Sequence, residues 1–481
     1  MSETCATGRR RSPLLGACLL YLLLPNVLFL CGWVETWLAA PLGALLAAGC
    51  WALWRRSAFA PRAPMTQGGK AMLALCLLLG AAVVYLMGLN GDFPQPRDFI
   101  VRNGIYGALV NESWPLHGAD GGYFVYYHAF WLPPAALVDY LRGLVPAWLV
   151  LAAWTYLGVA LCILCLFRRC GRRTLSLLAV MMGLACAQEV LGRADVFAAV
   201  LPIQGFVDAY NALIPQPVLY TCLWHQLAAT YNHAVAVMLF LCMVHGRLLG
   251  GSRLLPVAAL VVVCSPLGAL ALLVCLAFIL LPQVLRGELL RAQLREPLFY
   301  AVLPLLALLG LYFSSGAGSA VGAGWMSPLY GGNACGFAVA YLSGTLFMGG
   351  ALCVFGWRYR RTGAFCGAAC LLLLLPLLWT GVDTNELLYK GTLVPFFVMA
   401  VLLHGAWPHA GRGKRAVVAL LFAACAFIPA LDIQHRIREF GTSPQQHELN
   451  IQDEWHGHLN HPGHVWYSRF WGPQAPPLFR K

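Results

Sequence analysis

The sequence has few charged residues. Only 11% of its 481 residues are Asp, Glu, Lys or Arg, whereas 60% are hydrophobic, and the mean hydropathy is +0.70. A soluble domain of ordinary composition carries about 25% charged residues. The shortage of charge therefore argues against a typical soluble protein and indicates a polytopic membrane protein.

Three other features are missing, and each absence argues against a class of protein. No basic region interleaved with aromatic residues stands outside the apolar runs, so the net charge of +13 does not indicate nucleic-acid binding. No Cys-x-x-Cys pair lies in a polar segment. Most of the 18 cysteines lie in apolar runs, as small buried side chains do, which argues against a disulfide framework or a zinc site. No internal repeat of the kind found in secondary transporters is evident.

Long apolar runs dominate the chain instead. About 18 or more consecutive apolar residues are needed to cross a bilayer, and the sequence predicts about thirteen such passes in an all-α protein. They lie near 13–31, 36–54, 71–90, 145–167, 174–192, 230–246, 254–265, 267–285, 298–315, 336–357, 363–381, 389–405 and 416–432.

Basic residues fall in alternate loops between these runs. Cytoplasmic loops near spans are enriched in Lys and Arg, so Arg9, Arg10 and Arg11 predict a cytoplasmic N-terminus. The alternation holds along the whole chain only if 254–285 is a hairpin of two short passes. With thirteen passes the C-terminus lies on the outer side.

This topology divides the chain into three regions. Residues 1–70 hold two N-terminal spans, 71–432 form the main membrane module, and 433–481 are an outer tail. The module has long outer loops at 91–144, 193–229 and 316–335. In the first of these loops, segments 97–110 and 124–141 predict interfacial helices, because apolar and aromatic residues recur there at helical spacing.

Polar residues are concentrated in the first outer loop. A carboxylate at Asp92 or Asp98 is suited to deprotonate an acceptor hydroxyl or to hold a divalent cation. Arg97 and Arg102 are suited to bind phosphate as multi-donor forks. The alternative is that both aspartates cap a turn and a helix.

Further candidate substrate-binding and phosphate-binding residues lie in this loop and beyond it. Trp224, His225 and Gln226 combine an apolar surface with hydrogen-bonding groups, which suits sugar recognition, although an interfacial aromatic anchor is the alternative. Lys390 is a candidate phosphate-binding cation, with a plain i,i+4 pair to Glu386 as the alternative. The remaining candidates are His117, Asp120, Tyr127, Asn232 and Glu386 for substrate and Arg193 for phosphate.

Several segments resemble the GT-C class of membrane glycosyltransferases. They are "GLNGD" at the end of the third run, the first outer loop with its paired acidic residues, "LWHQLAATYNHAV", "DTNELLYKGTLVPFF" and "HVWYSRFW". The resemblance implies a polyprenyl-phosphate sugar donor and a catalytic Asp in the first outer loop, here Asp98 or Asp92. No Asp-x-Asp motif is present, so the choice between them and the use of a divalent cation stay open.

The sequence thus predicts a glycosyltransferase of the bacterial inner membrane whose active site faces the periplasm. Its partners would be the bilayer, the polyprenyl-phosphate sugar and a glycan or lipid-linked acceptor. A transporter or flippase of a lipid-linked saccharide is the rival, and it would need access from both faces of the membrane. An O-antigen-type polymerase or ligase is chemically close and cannot be separated by sequence.

Overall fold

The computed structural model of the chain is almost entirely helical in its described part. That part comprises residues 10–59, 64–90, 92–93, 98–117, 122–142, 144–183, 222–316, 322–325, 333–381, 385–441, 471–472 and 475–480. The helices of the first half are α1 Pro13–Trp33, α2 Thr36–Arg56, α3 Gln67–Leu86, α4 Asp98–Asn111, α5 Leu132–Tyr140, α6 Ala147–Cys170, α7 Thr174–Gly183 and α8 Leu223–His245. Those of the second half are α9 Leu254–Ala259, α10 Pro266–Leu285, α11 Glu288–Gln293, α12 Pro297–Gly316, α13 Ala334–Gly356, α14 Gly363–Leu374, α15 Glu386–Gly391, α16 Leu393–Ala406 and α17 Arg412–Arg438.

The strands of the described part are short and pair two by two. They are β1 Arg10–Arg11, β2 Ala58–Phe59, β3 Tyr123–Phe124, β4 Gly322–Trp325, β5 Leu378–Gly381 and β6 Trp471–Gly472. The antiparallel pairs are β1 with β2, β3 with β6 and β4 with β5. They join chain segments at the ends of the helices and form no core of their own.

In the described residues, 9 helices are long and apolar enough to cross a membrane. One of them, Ala147–Gly183, covers two predicted passes and is interrupted at Gly171, where a φ of +55° suits glycine. The structure therefore agrees with an all-helical, multi-pass membrane protein. It does not confirm the count of thirteen.

The segment 254–285 turns back on itself, but its first arm is too short to span. α9 has 6 residues, which rise about 9 Å along the helix axis, so this arm does not form a spanning helix. The backbone oxygen of Leu260 accepts a hydrogen bond from Asn26, within α1, at 2.9 Å. Arg253 before the segment and Glu296 after it lie 3.7 Å apart, so both ends of the segment are on the same side of the bundle.

Loops predicted to share one side of the membrane meet in the structure. The Arg56 guanidinium donates to the backbone oxygen of Arg295 at 3.1 Å. The Arg168 guanidinium lies 4.8 Å from the centroid of the Phe59 ring. These contacts join the loops after α2 and α6 and the loop before α12 at one end of the bundle, called the basic end here.

Small residues allow two helices near the basic end to pack closely. A Cβ at Gly363 would come within 2.3 Å of the backbone oxygen of Phe278, and one at Gly367 within 2.8 Å of the Cα of Cys275. Gly363 and Gly367 stand on one face of α14 at i and i+4. This spacing is how membrane helices bring their backbones into contact, since lipid supplies no hydrophobic force between helices.

Both helices predicted in the first outer loop are present. α4 begins at Asp98, close to the predicted start, whereas α5 begins only at Leu132 because Tyr123 and Phe124 pair with β6. The Phe99 ring is fully buried and lies 5.7 Å from the ring of Tyr231 in α8. The apolar side of α4 therefore packs on the helical bundle.

The end of the chain packs against the opposite end of the bundle from the basic loops. Phe479 is 3% exposed, and its ring stacks on Tyr312 with centroids 5.7 Å apart. The Tyr312 hydroxyl in turn contacts the backbone of Phe124 and Tyr126 at 2.9 to 3.2 Å. Residues 475–480 thus hold the loop that follows β3, and α17 extends beyond the predicted start of the tail, to Arg438.

Replacing Phe479 with Ala should loosen this loop. The change removes a buried ring, a loss of about 3–5 kcal/mol when the site cannot collapse, so the backbone amides of 123–126 should exchange hydrogen about 100-fold faster or more. Hydrogen exchange followed by mass spectrometry measures this rate. Leu478→Ala is the matched control: Leu478 is 40% exposed, and its loss should change exchange by less than about twofold. Equal exchange in both variants would show that the tail does not support the loop.

Candidate functional site

α8 is interrupted in the region where the sequence placed substrate-binding residues. The backbone at Thr230 has φ −136° and ψ 40°, outside the helical range. Its hydroxyl donates to the backbone oxygen of Gln226 at 3.0 Å and lies 3.1 Å from the amide oxygen of the same residue. Broken helices are tolerated in membranes where side chains satisfy the freed backbone groups or where the break lines a cavity. Residues 231–233 follow directly on this break.

The short helix α15 places a lysine and a glutamate on one of its faces. Asn385 caps α15, since its side chain accepts from the backbone N–H of Leu388 at 3.1 Å. The Lys390 amine donates to the Glu386 carboxylate, so the predicted i,i+4 pair is formed. The side chains are only 6% and 19% exposed. Such a pair loses its hydration on burial, which makes a purely structural role costly.

Tyr127 from the first outer loop completes the contact. Its hydroxyl accepts from the Lys390 amine at 2.6 Å and donates to the Glu386 carboxylate at 3.3 Å. Burial, together with the nearby Glu386 charge, raises the pKa of Tyr127 well above its ordinary value. The phenol therefore stays protonated at neutral pH and keeps a donor in the site.

Two more side chains belong to the same group. The His233 ring packs on the Tyr127 ring with centroids 4.3 Å apart. Arg102 of α4 is 6% exposed and acts electrostatically on both Tyr127 and His233. Arg102, Tyr127, His233, Glu386 and Lys390 are called the basic cluster here. Guanidinium and ammonium groups bind phosphate and carboxylate oxygens, so the cluster is suited to an anionic ligand.

The basic cluster joins residues that are far apart in the chain. Lys390 and Tyr127 are separated by 263 positions. The sequence predicted Arg102 and Lys390 as phosphate-binding residues and Tyr127 and Glu386 as substrate-binding residues, and the structure brings all four together. His233 stood in the sequence only within the segment "LWHQLAATYNHAV", with no role assigned to it.

A second set of polar side chains lies around Trp224. The indole N–H donates to the Asp432 carboxylate at 2.6 Å, and the Arg436 Nε donates to the same oxygen at 2.9 Å. The Arg436 guanidinium lies 5.6 Å from the centroid of the Trp224 ring. Trp224 is fully buried and faces α17, so its ring does not lie open to a sugar in this structure.

The other predicted substrate-binding residues are distributed around α8 and β3. Gln226 donates to the backbone oxygen of Tyr389 and so joins α8 to α15. His225 is half-buried, 3.5 Å from the Cys222 thiol. Asn232 is fully buried, and neither of its amide atoms has a hydrogen-bond partner among the described residues. His117 is half-buried and pairs its backbone with Tyr123.

Asp92 holds the turn that follows α3. Its carboxylate accepts from the Tyr85 hydroxyl at 3.0 Å and from the Asn90 amide. Its backbone oxygen accepts from Gly441, just beyond α17, at 3.0 Å. Asp92 therefore has the turn-forming contacts that the sequence offered as the alternative to catalysis. Its role as a general base stays a prediction.

Several predicted residues lie outside the described part. Asp98 is the first residue of α4, but its side chain is not described. The others are Arg97, Asp120 and Arg193. Their roles in base catalysis, phosphate binding and substrate binding stay predictions.

Sequence reasoning missed His128, which lies at the centre of the contacts around the tail. It is fully buried, its ring lies 4.2 Å from the Trp33 ring, and its Nδ1 lies 3.4 Å from the Tyr312 hydroxyl. Burial lowers the pKa of His128 to about 3, so the ring is neutral. Its only signal in the sequence was a histidine inside the aromatic run "FVYYHAFW".

The chain was compared with known families, curated proteins and solved structures. None of them matches. The function must therefore be argued from the residues of the basic cluster and their surroundings.

Proposed function

We propose that this protein is a membrane glycosyltransferase that moves a sugar from a polyprenyl-phosphate donor to a periplasmic or lipid-linked glycan acceptor. It would lie in the bacterial inner membrane with a cytoplasmic N-terminus and a periplasmic C-terminus. The fold proposed for its membrane module is GT-C-like, as the resemblance of its sequence segments implies.

The observation that carries this proposal is the basic cluster. Arg102 and Lys390 are 6% exposed each, and Lys390 donates to the Glu386 carboxylate. Cations withdrawn from water are stabilised by a ligand that brings negative charge. A phosphate at the head of an apolar chain fits such a place, because the chain can lie among the spans while the phosphate meets the cations.

The reaction assigns separate roles to these groups. The acceptor hydroxyl would give its proton to Asp98 or Asp92, and its oxygen would attack the anomeric carbon of the donor sugar. The bond from that carbon to the phosphate oxygen breaks, and the phosphate leaves with the electron pair. Arg102 and Lys390 would stabilise the charge that develops on this oxygen. The Tyr127 hydroxyl supplies a further donor.

The position of the cluster supports an active site on the outer side. α8 carries His233 near its middle and reaches the basic end at His245, while α15 carries Lys390 and the following helix reaches that end at His404. The cluster therefore lies away from the basic end. If the basic loops are cytoplasmic, as their composition predicts, the cluster belongs to the periplasmic half.

Transfer in detergent tests the proposal. Purified protein is mixed with a panel of radiolabelled polyprenyl-phosphate hexoses and pentoses and with a lipid extract of bacterial envelope containing glycan acceptors. We expect label to move to an acceptor, since a transferase needs neither a gradient nor a sealed compartment. The Lys390→Met/Glu386→Gln variant should lose this transfer. Movement of a lipid-linked saccharide across sealed vesicles, with no transfer in detergent, would show a transporter or flippase instead.

A further inference from the structure

A second basic site lies at the basic end of the bundle, away from the basic cluster. A cavity of about 490 Å³ opens there between the ends of α6, α8 and α16. It is lined by Arg169, Cys170, Arg173, His245, Tyr359, Val401, Leu402, His404 and Gly405. Among these described lining residues there are two arginines and two histidines and no carboxylate.

The two histidines are fixed in the wall by neighbouring groups. His404 Nε2 lies 3.1 Å from the Ser176 hydroxyl, and His245 Nε2 lies 3.4 Å from the Cys170 thiol. Arg169 acts electrostatically on His245, and Arg173 on His404. Each histidine thus lies near an arginine in the wall of the cavity, and the two guanidinium groups supply the positive charge there.

A glycine keeps part of the cavity open. Gly405 lines the cavity, and a Cβ at this position would lie 2.9 Å from the Tyr359 hydroxyl. Any larger residue here would therefore press on Tyr359 or project into the cavity. The space is maintained by the absence of a side chain.

We propose that this cavity binds a phosphate group, and that its setting favours the headgroup of an anionic phospholipid over soluble phosphate. Guanidinium groups are the side chains best matched to phosphate oxygens. The four basic residues stand at the ends of membrane-spanning helices, the level at which headgroups lie. Basic pockets between spans on the cytoplasmic side are the usual places for such headgroups.

A neighbouring cavity supports the lipid source. It also has a volume of about 490 Å³, and it continues around the end of α16. Its lining combines basic and apolar groups, among them Arg358, Arg360, Lys414, Trp357 and Trp407. Trp357 is 55% exposed and Trp407 41% exposed, as expected for rings at the membrane–water boundary. The apolar residues suit the acyl chain of a lipid, and the basic residues suit the headgroup of the same lipid.

Lipid titration tests the proposal. The full-length protein in neutral detergent is titrated with phosphatidylglycerol, with phosphatidylcholine and with inorganic phosphate, and bound ligand is counted by native mass spectrometry. Both headgroups contain a phosphate, but the choline cation of phosphatidylcholine offsets its charge and would be repelled by the two arginines. We therefore expect phosphatidylglycerol to bind at least about tenfold more tightly, a factor that one charge-assisted contact accounts for. Arg169→Gln/Arg173→Gln should remove this preference. The matched control is Arg286→Gln/Arg291→Gln, which removes the same charge from exposed residues at the same end and should keep it.

The outcomes separate the possible sources. Loss of the preference for phosphatidylglycerol in Arg169→Gln/Arg173→Gln (the cavity variant), but not in the control, supports the lipid site. Phosphate binding that depends on Arg169 and Arg173, without a preference among lipids, supports the phosphate site with a soluble source. Equal loss in the cavity variant and the control would overturn the proposal, since it would reflect overall charge alone. If Arg169→Gln/Arg173→Gln does not fold, Gly405→Leu replaces it as the test, because it fills the cavity without changing charge. An unchanged lipid preference in Gly405→Leu would also overturn the proposal.

Discussion

Replacing Lys390 with Met is expected to destabilise the protein and to weaken donor binding. The Glu386 carboxylate would lose its cation while only 19% exposed, and breaking a buried pair in this way costs about 3–5 kcal/mol. Unfolding by SDS in mixed micelles measures this change. In the wild type, farnesyl monophosphate serves as a soluble probe of the donor phosphate, and its binding can be followed by isothermal calorimetry.

The double variant Lys390→Met/Glu386→Gln separates structure from function. With the carboxylate also removed, no unpaired charge is left, so most of the lost stability should return. Binding of farnesyl monophosphate should still be weaker by about 10–100-fold, because a charge-assisted contact of about 1.5–3 kcal/mol is missing. The control Arg253→Met/Glu296→Gln removes an ion pair at the basic end and should leave this affinity unchanged. A double variant that recovers both stability and affinity would mean that the pair only supports the fold.

Replacing Asp98 with Asn is expected to lower turnover by about 10²–10⁴-fold if this residue is the general base. Asparagine keeps the volume and much of the hydrogen bonding of aspartate but cannot take the acceptor proton, so binding of the donor should be nearly unchanged. Asp92→Asn should have the smaller effect, because the Asp92 carboxylate already accepts from Tyr85 and Asn90. Steady-state rates of sugar transfer in detergent measure both changes.

Asp139→Asn provides the matched control, since Asp139 is an exposed aspartate of the same outer loop and should leave turnover unchanged. Asparagine is about as good a helix cap as aspartate. Full turnover in Asp98→Asn, in Asp92→Asn and in the variant carrying both changes would therefore show that these acids only shape the loop. The polar residues of the first outer loop would then need another explanation.

Predictions made from local composition agree best with the structure. The helical class, most of the apolar passes, the helix predicted over 97–110 and the meeting of the basic loops all agree with the pattern of the sequence. The pass predicted at 254–265 was not found as a spanning helix. There the composition is apolar, but Ser265 and Pro266 start a new helix and leave only 6 residues for α9.

The roles of single polar residues were harder to predict. The Trp224 side chain has the chemistry expected of a sugar-binding residue. Its indole N–H, however, donates a hydrogen bond to Asp432 of α17, 208 positions away. Asp432 and Arg436 form an i,i+4 pair that the spacing alone could have indicated. Their contact with Trp224 could not be indicated in this way, because it depends on how two distant helices pack.

The sequence by itself determined that this is a multi-pass helical membrane protein, with basic residues in loops that meet in the structure and polar residues gathered in a few segments between the apolar runs. Hydropathy and charge are local properties, and the bilayer acts on each segment separately. Only the tertiary structure decided that Arg102, Tyr127, His233, Glu386 and Lys390 share one site while Trp224 belongs to another. A buried polar side chain must find its partners among the groups that packing brings near it, and those groups come from any part of the chain.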